Sequence, residues 1–471
     1  MTRELPSYIA AAKPVPLSKR AAWYCNIAPA YAGIILKFVF WQDVPTGGGP
    51  LGGTLVHGLG YALLALVMAA LLCHFLCYLV PGLLGMKTGL PLYIVGASTY
   101  GARGGLFIPG FLMGILQFGW VGVNTYFSAA LLVAPFGYAP LSLPHQVVSV
   151  IWATAGALVG FKGIRYVVRV ATYLPIIPAT ILLILTVATF SGVGKFDPQA
   201  AVTAGHAAGN TAAGTLSVLG VFAVLFTYSL GFFATAGAAG ADLAMNSRNA
   251  KDVHRGGLVG IAGSMIFGGG LALLITAGAH GLNLGSPTVM RPTDLMTSIV
   301  GAHATAVFRY LLALTCFPGV CFGAFVAANC VRTTLPKVHP ALSMSVGSAV
   351  SILLSVTGCA GQVMSVFSVV GASFGPICGA MAADYLLAGR RWAGPRQGFN
   401  PAGWISWVIG FGIGISDVLA EFIPAMRSLK GTVPAPPLAA LIVSFVLYFV
   451  LAKLGLQSRT LETPDSSTRN G

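Results

Sequence analysis

Runs of about 20 apolar residues recur along nearly the whole chain, and each is the length a helix needs to cross a hydrocarbon core. Inside lipid every backbone N–H and C=O must be satisfied within the protein, so only helices and closed barrels span a bilayer. Continuous apolar runs, rather than ten-residue alternating ones, select helices. Charged residues make up only 8% of the chain, against roughly 25% in a soluble globule, which excludes that class. The chain reads as an all-α, polytopic membrane protein. Twelve spans are expected, near 22–42, 53–80, 106–134, 146–161, 167–190, 216–242, 257–281, 305–331, 342–357, 361–387, 402–425 and 435–455.

The first 21 residues carry Arg3, Lys13, Lys19 and Arg20 with no long apolar core, so they read as a cytoplasmic tail rather than a cleaved signal peptide. With that tail inside and twelve spans alternating, the inside ends also hold Lys87, Arg103, Lys162, Arg165, Arg169, Arg248, Lys251, Arg255, Arg332, Lys337, Arg390, Arg391, Arg396, Lys453, Arg459 and Arg469. Together these are 20 of the 26 basic residues, the asymmetry that the positive-inside rule describes. The net charge of +15 is scattered over separate cytoplasmic segments, so it reads as topology beside anionic lipid and not as a nucleic-acid surface. The eight cysteines have no ligand partners in metal-like spacing and are taken as packing residues, with no metal, redox or other cofactor implied.

Two spans carry small-residue interruptions, Asn26 to Gly33 in the first and Ala234 to Ala241 in the sixth. They occupy corresponding places if spans 1 to 5 and 6 to 10 are repeats, the pattern of transporters with broken helices at mid-membrane. Of the scarce intramembrane charges, Lys37 is expected to snorkel to the interface. Asp242 and Asp384 read as end-of-helix gate or topology residues, and Asp417 with Glu421 as a surface or vestibule pair. His57 and His74 read as packing histidines.

One apolar helix stands apart. Trp120 and Asn124 are four residues apart and share a face, and a carboxamide gains nothing from facing lipid. This face is therefore expected to line a cavity where a flat, hydrogen-bonding molecule sits, with Trp120 stacking and Asn124 reading an edge. Several stretches together resemble the nucleobase-cation symporter family, the cytosine, purine, allantoin and hydantoin permeases. They are Gly85-Met86-Lys87-Thr88-Gly89, Gln117-Phe118-Gly119-Trp120, Asp242 followed by Arg248-Asn249-Ala250-Lys251, Val326-Ala327-Ala328-Asn329, and Ala383-Asp384-Tyr385-Leu386 ahead of Arg390-Arg391.

The resemblance implies a leucine-transporter-like core of two inverted five-helix repeats, here 22–190 and 216–387, two peripheral helices in 402–455, and a C-terminal cytoplasmic tail, 456–471. It implies alternating access for a planar heterocycle and no enzymatic chemistry. By position it assigns Trp120 as the stacking tryptophan, Asn124 as the ring-bonding amide, Phe233 as the second aromatic, Thr235 as a small hydroxyl and Asn329 as a substrate contact. Gln117 and Gly33 complete the expected site. Sodium-coupled members use carbonyls at the span 1 break, here Ala32, with two hydroxyl side chains whose positions are Gly323 and Ala324 in this chain. Losing two oxygen ligands weakens a sodium site, so sodium coupling is doubted, and a proton or no coupling ion is the alternative. A same-fold carrier of a vitamin or an amino acid is the nearest rival reading. From another class, a membrane sensor or channel is weighed against the short tails and the absence of a continuous polar pore. Lipid and a small heterocyclic substrate are the only partners expected; the oligomeric state is not legible.

Overall fold

The computed structural model describes residues 5–207, 214–335 and 337–462, without the side chains of 162–166, 168–170, 172, 332 and 340. Arg3 and Arg469, and the side chains of Lys162, Arg165, Arg169 and Arg332 from the topology set, lie outside the described residues. So does most of the expected C-terminal tail. The described residues are helical, with only isolated bridges such as Ala21 to Ser247 outside the helices.

Helix lies at each of the twelve expected places, and nine of the helices among the described residues, or ten with one bent pair, are long and apolar enough to cross a membrane. Span 1 is Ile27–Ile35 followed by Phe38–Trp41. Spans 2 to 5 are Leu59–Thr88, Leu106–Phe136, Leu143–Phe161 and Ile176–Lys195. Span 6 is Val218–Ala238 with Gly240–Ala244. Span 7 is Ala250–Gly281 and span 8 is Pro292–Val331. Span 9 is Pro340–Val356 and span 10 Val363–Leu387. Span 11 is Pro401–Gly414 with Ser416–Phe422, bent by 54°, and span 12 is Pro436–Lys453.

Several boundaries move from their expected places, and three departures have a clear physical reason. The helix of span 4 continues to Tyr173 instead of stopping at 161. Hydropathy reports where the apolar slab ends, whereas the helix ends ahead of Pro175, since a proline disfavours helical geometry in the residue before it. Span 8 starts earlier, at Pro292, and turns sharply at Gly301, whose φ of 79° suits a residue without Cβ.

The third concerns the breaks. The interruption expected over Asn26 to Gly33 is helical, because Pro29 falls in the first turn, where its missing N–H would have had no helical partner. Span 1 breaks later, at Lys37, which is extended with φ −61° and ψ 140°. The indole of Trp41 donates to the stranded Leu36 carbonyl at 3.0 Å. Span 6 breaks at Ala239, inside the expected window. The two broken helices satisfy one another: Tyr31 Oη donates to the Ala236 carbonyl at 2.9 Å and Asn26 Nδ2 to Leu243 at 2.9 Å. In return, Tyr228 Oη donates to the Phe40 carbonyl.

On the face of the amino terminus, Asp384 is neither a surface topology residue nor a gate standing in water. It is 3% exposed and accepts from Ser98 Oγ and Tyr448 Oη at 2.7 Å and from Arg396 Nη2 at 3.1 Å. Thr99 Oγ1 adds a fourth donor at 3.3 Å; the network ties spans 10 and 12 to the segment after span 2, and a buried carboxylate with four donors tolerates its site where a bare one would not. Asp242 accepts from the Leu92 amide at 2.9 Å. His74 pairs with His254 at 3.2 Å, and His57 with the Leu216 carbonyl at 2.7 Å. Six of the cysteines are buried or half-buried, but Cys25 and Cys359 are exposed and do no packing.

Candidate functional site

Span 3 carries the expected pair along one side of a continuous helix, Leu112–Val133. Trp120 is half-buried, and its Nε1 donates to Thr235 Oγ1 on span 6 at 3.3 Å. Its indole lies edge-on to Phe232, with centroids 5.2 Å apart, and 5.5 Å from Phe367 of span 10. Phe232 and Phe367 in turn meet at 5.4 Å, so spans 3, 6 and 10 join through one aromatic wall. Ring pairs at such separations favour edge-to-face or offset contact, which leaves a face of the indole for another flat ring.

That wall continues to a cavity of about 840 Å³ on the face opposite the amino terminus, lined by Asp43, Tyr228, Arg291, Asp294, Met364 and Glu421. Tyr228 borders the cavity and sits 5.1 Å from Phe367, one ring removed from Trp120. Across the cavity floor Arg291 Nε pairs with Asp43 Oδ1 at 2.6 Å. Of the expected Asp417 and Glu421 pair, Glu421 lines the cavity and pairs with Lys430 at 3.1 Å, whereas Asp417 accepts from the Gly431 amide at 2.9 Å.

One turn along span 3, Asn124 is 6% exposed. Its Nδ2 donates to the Trp120 carbonyl at 2.7 Å, while its Oδ1 is buried without a partner among the described residues. An unsatisfied buried amide oxygen costs about 1–3 kcal/mol, so this atom is held ready for a donor. The site thus offers a stacking face, a hydroxyl already engaged with the indole, and a free carbonyl-type acceptor.

Known proteins were compared against this geometry. The model for permeases for cytosine/purines, uracil, thiamine and allantoin matches residues 14–394. The chain belongs to that family. Comparison with the curated proteins returned no match. Among solved structures, the chain is similar to the inward-facing conformation of Mhp1, with 15% identity and a TM-score of 0.64 over 96% of this chain and 97% of that one. It is equally similar to Mhp1, a nucleobase-cation-symport-1 family transporter, in a closed conformation with bromovinylhydantoin bound, at 14% identity, TM-score 0.64, and 96% and 97% coverage. A substrate-bound, outward-open Na⁺-coupled sialic acid symporter follows at 12% identity and TM-score 0.54, covering 94% of this chain and 92% of that one. Identities this low carry the fold alone, and the fold is that of Mhp1. Family and fold together make the chain a multi-pass nucleobase permease, a transporter and not an enzyme.

In this permease the expected site residues part company. Trp120 and Thr235 come together, and Asn124 sits one turn away on the same helix, its carboxamide toward Gly319 of span 8. Phe233 does not join them: it is fully buried against Tyr31 of span 1, 5.5 Å away, and its neighbour Phe232 meets Trp120 instead. Successive helical residues point about 100° apart, so a one-residue difference decides which helix is touched. Asn329 is exposed near the far end of span 8, and its side chain makes no hydrogen bond among the described residues. Gln117 donates to Met113 Sδ at 3.6 Å, on the side of span 3 that faces Gly323. Gly33 is mid-helix, packed toward Pro175.

The positions expected at a degenerate sodium site also scatter. The Ala32 carbonyl accepts from the Leu36 amide at 2.9 Å within the helix. Gly323 lies against Val121, and Ala324 is fully buried in a cluster with Val121, Ala157 and Val320. Both therefore face spans 3 and 4, not the break in span 1. The residues that sequence reading missed are Phe367, Phe232 and Phe40 in the wall, and Lys37 at the break. Aromatic residues abound in apolar spans, so only their convergence marks the first three. Lys37 carried the signal of an intramembrane charge and was assigned to the interface.

Proposed function

We propose that this permease takes up a planar, uncharged heterocycle of the nucleobase or hydantoin type by alternating access, binding it on the Trp120 face with Asn124 Oδ1 accepting a ring N–H. The observation that carries this reading is the half-open Trp120 indole, set in an aromatic wall, one turn from an amide oxygen without a partner. Stacking rewards a flat ring of any substitution, and a neutral acceptor suits a neutral donor edge. The hydrogen bonds exchanged by the two broken helices are the contacts that rocking of one repeat on the other would exchange. The amino terminus is cytoplasmic in this reading, the cell membrane is the location, and the Asp43 to Arg291 cavity is the outer vestibule. In this reading sodium is not the driving ion: the two span 8 positions that the resemblance assigns to it, Gly323 and Ala324, carry no side-chain oxygen and, packed toward spans 3 and 4, do not face the break in span 1.

The test is a thermal-shift and uptake panel on purified and reconstituted protein with cytosine, uracil, purines, hydantoins, allantoin and thiamine, with and without sodium. A stabilising hit among the uncharged heterocycles whose binding weakens in Trp120→Ala is the expected result. Thiamine or an amino acid as the sole hit overturns the substrate class. Uptake that climbs with a sodium gradient at constant pH overturns the ion assignment.

A further inference from the structure

The floor of the outer cavity carries more hydrogen-bonding capacity than its ion pair uses. Asp43 follows the short outer helix of span 1 and Arg291 immediately precedes span 8, so their contact joins those two spans. Thr293 Oγ1, donating to Gln42 Oε1 at 3.2 Å, fixes the same approach. Only one atom of each charged group is engaged. Arg291 spends Nε on Asp43 Oδ1, and its two terminal nitrogens have no partner among the described residues. Asp43 Oδ2 is buried, likewise without a partner among them.

These groups border a cavity. The Asp43 side chain is 5% exposed and that of Arg291 43%, and both line the space of about 840 Å³, a volume suited to a small organic molecule. Val289, Met290 and Met364 line it too, and methionine adapts readily to a flat ring. The guanidinium charge is already answered by Asp43, and Asp294, one turn on in span 8, brings a second carboxylate to the same cavity. An anion therefore meets no net positive charge among the lining residues. What remains is a planar fork of N–H donors beside a carboxylate acceptor, and such a fork takes two neighbouring acceptors in one plane.

We infer that the outer vestibule is a second ligand site, in which the Arg291 fork and Asp43 Oδ2 together read a neutral heterocycle whose edge runs acceptor, acceptor, donor. The terminal nitrogens of Arg291 donate to a carbonyl and the bare ring nitrogen beside it. The next group along the edge donates to Asp43 Oδ2, which the guanidinium uncovers as it turns its fork to the ring. Cytosine carries that edge in its carbonyl, its unprotonated ring nitrogen and its amino group; uracil has a proton on the same nitrogen and does not. Tyr228 and Phe367 separate this site from the Trp120 face, so the two sites hold separate ligands. The link to uptake rests on the permease reading, whereas capture by Arg291 and Asp43 needs no Trp120.

Equilibrium dialysis of the purified full chain with labelled cytosine and uracil tests this in wild type, Trp120→Ala, Arg291→Lys and the double variant. Wild type should bind two cytosines per chain and Arg291→Lys one, because lysine keeps the charge and loses the fork. Trp120→Ala should retain one cytosine site that takes uracil at least tenfold more weakly. Acetate, the kind of anion a lone guanidinium would hold, should not displace cytosine from it. The double variant should weaken that site at least tenfold. If Trp120→Ala abolishes cytosine binding, the outer site is overturned while the stacking site stands. If Arg291→Lys abolishes all of it and Trp120→Ala none, the stacking site falls and the outer one stands. Equal binding of uracil, displacement by acetate, an unchanged site in the double variant or no cytosine binding to any form also overturns the inference. Should Arg291→Lys not fold, Asp43→Asn with Arg291→Gln removes both charges together, and two cytosine sites surviving in that protein are equally fatal.

Discussion

Two stretches of span 3, one turn apart, are built on opposite principles. At Trp120 the neighbours are rings and the polar atom has a partner, the Thr235 hydroxyl. At Asn124 the neighbours are glycine and a lysine stem, and buried oxygens have no partners among the described residues. The first wall is finished without a ligand; the second is not. Apolar contact is cheap to complete from whatever side chains lie near, because it is non-directional. Hydrogen bonds need a donor at a set place, so an incomplete polar wall marks where something else belongs.

The contrast can be broken most readily at Trp120. Trp120→Ala should weaken heterocycle binding by about 1–3 kcal/mol, the scale of ring stacking on an aromatic residue. Titration calorimetry showing unchanged affinity would return the indole to core packing. Asn124→Ala should also cost about 1–3 kcal/mol when the ligand donates to it, with the loss vanishing for an analogue methylated at the donating nitrogen. A smaller effect sharpens the aromatic side: Phe232→Leu should weaken binding by about 0.5–1.5 kcal/mol, the worth of an aromatic pair. Phe233→Leu should lower the melting temperature and leave affinity alone, and the reverse ranking would restore Phe233 to the site. Smallest of all, Asn329→Ala should leave both affinity and melting temperature near wild type, since its side chain is exposed.

The legible parts of the molecule were those that depend on one helix at a time. Apolar length placed the spans, and the spacing of Trp120 and Asn124 put a ring and an amide on one side of a helix. Partnership was harder. Phe232 and Phe233 are indistinguishable in an apolar run, and only the packing of span 6 against spans 1 and 3 sorts them. Pro29 looked like a break and is a start, because a proline's effect depends on whether its missing N–H had a helical partner. Lys37 looked like an interfacial residue because snorkelling is the commoner fate of a lysine near a span end.

By itself, then, the sequence determined that this chain crosses a membrane many times as helices, which broad family of permeases it belongs to, and that an indole and an amide share one side of a helix. Those follow from hydropathy, spacing and motif order, all local properties. Only the tertiary structure decided where span 1 breaks, which phenylalanine meets Trp120, and that Lys37 turns inward toward Gly319. Each of these depends on groups more than a hundred residues apart in the chain meeting across helices, and the balance of burial and unpaired charge that selects them does not exist until the helices pack.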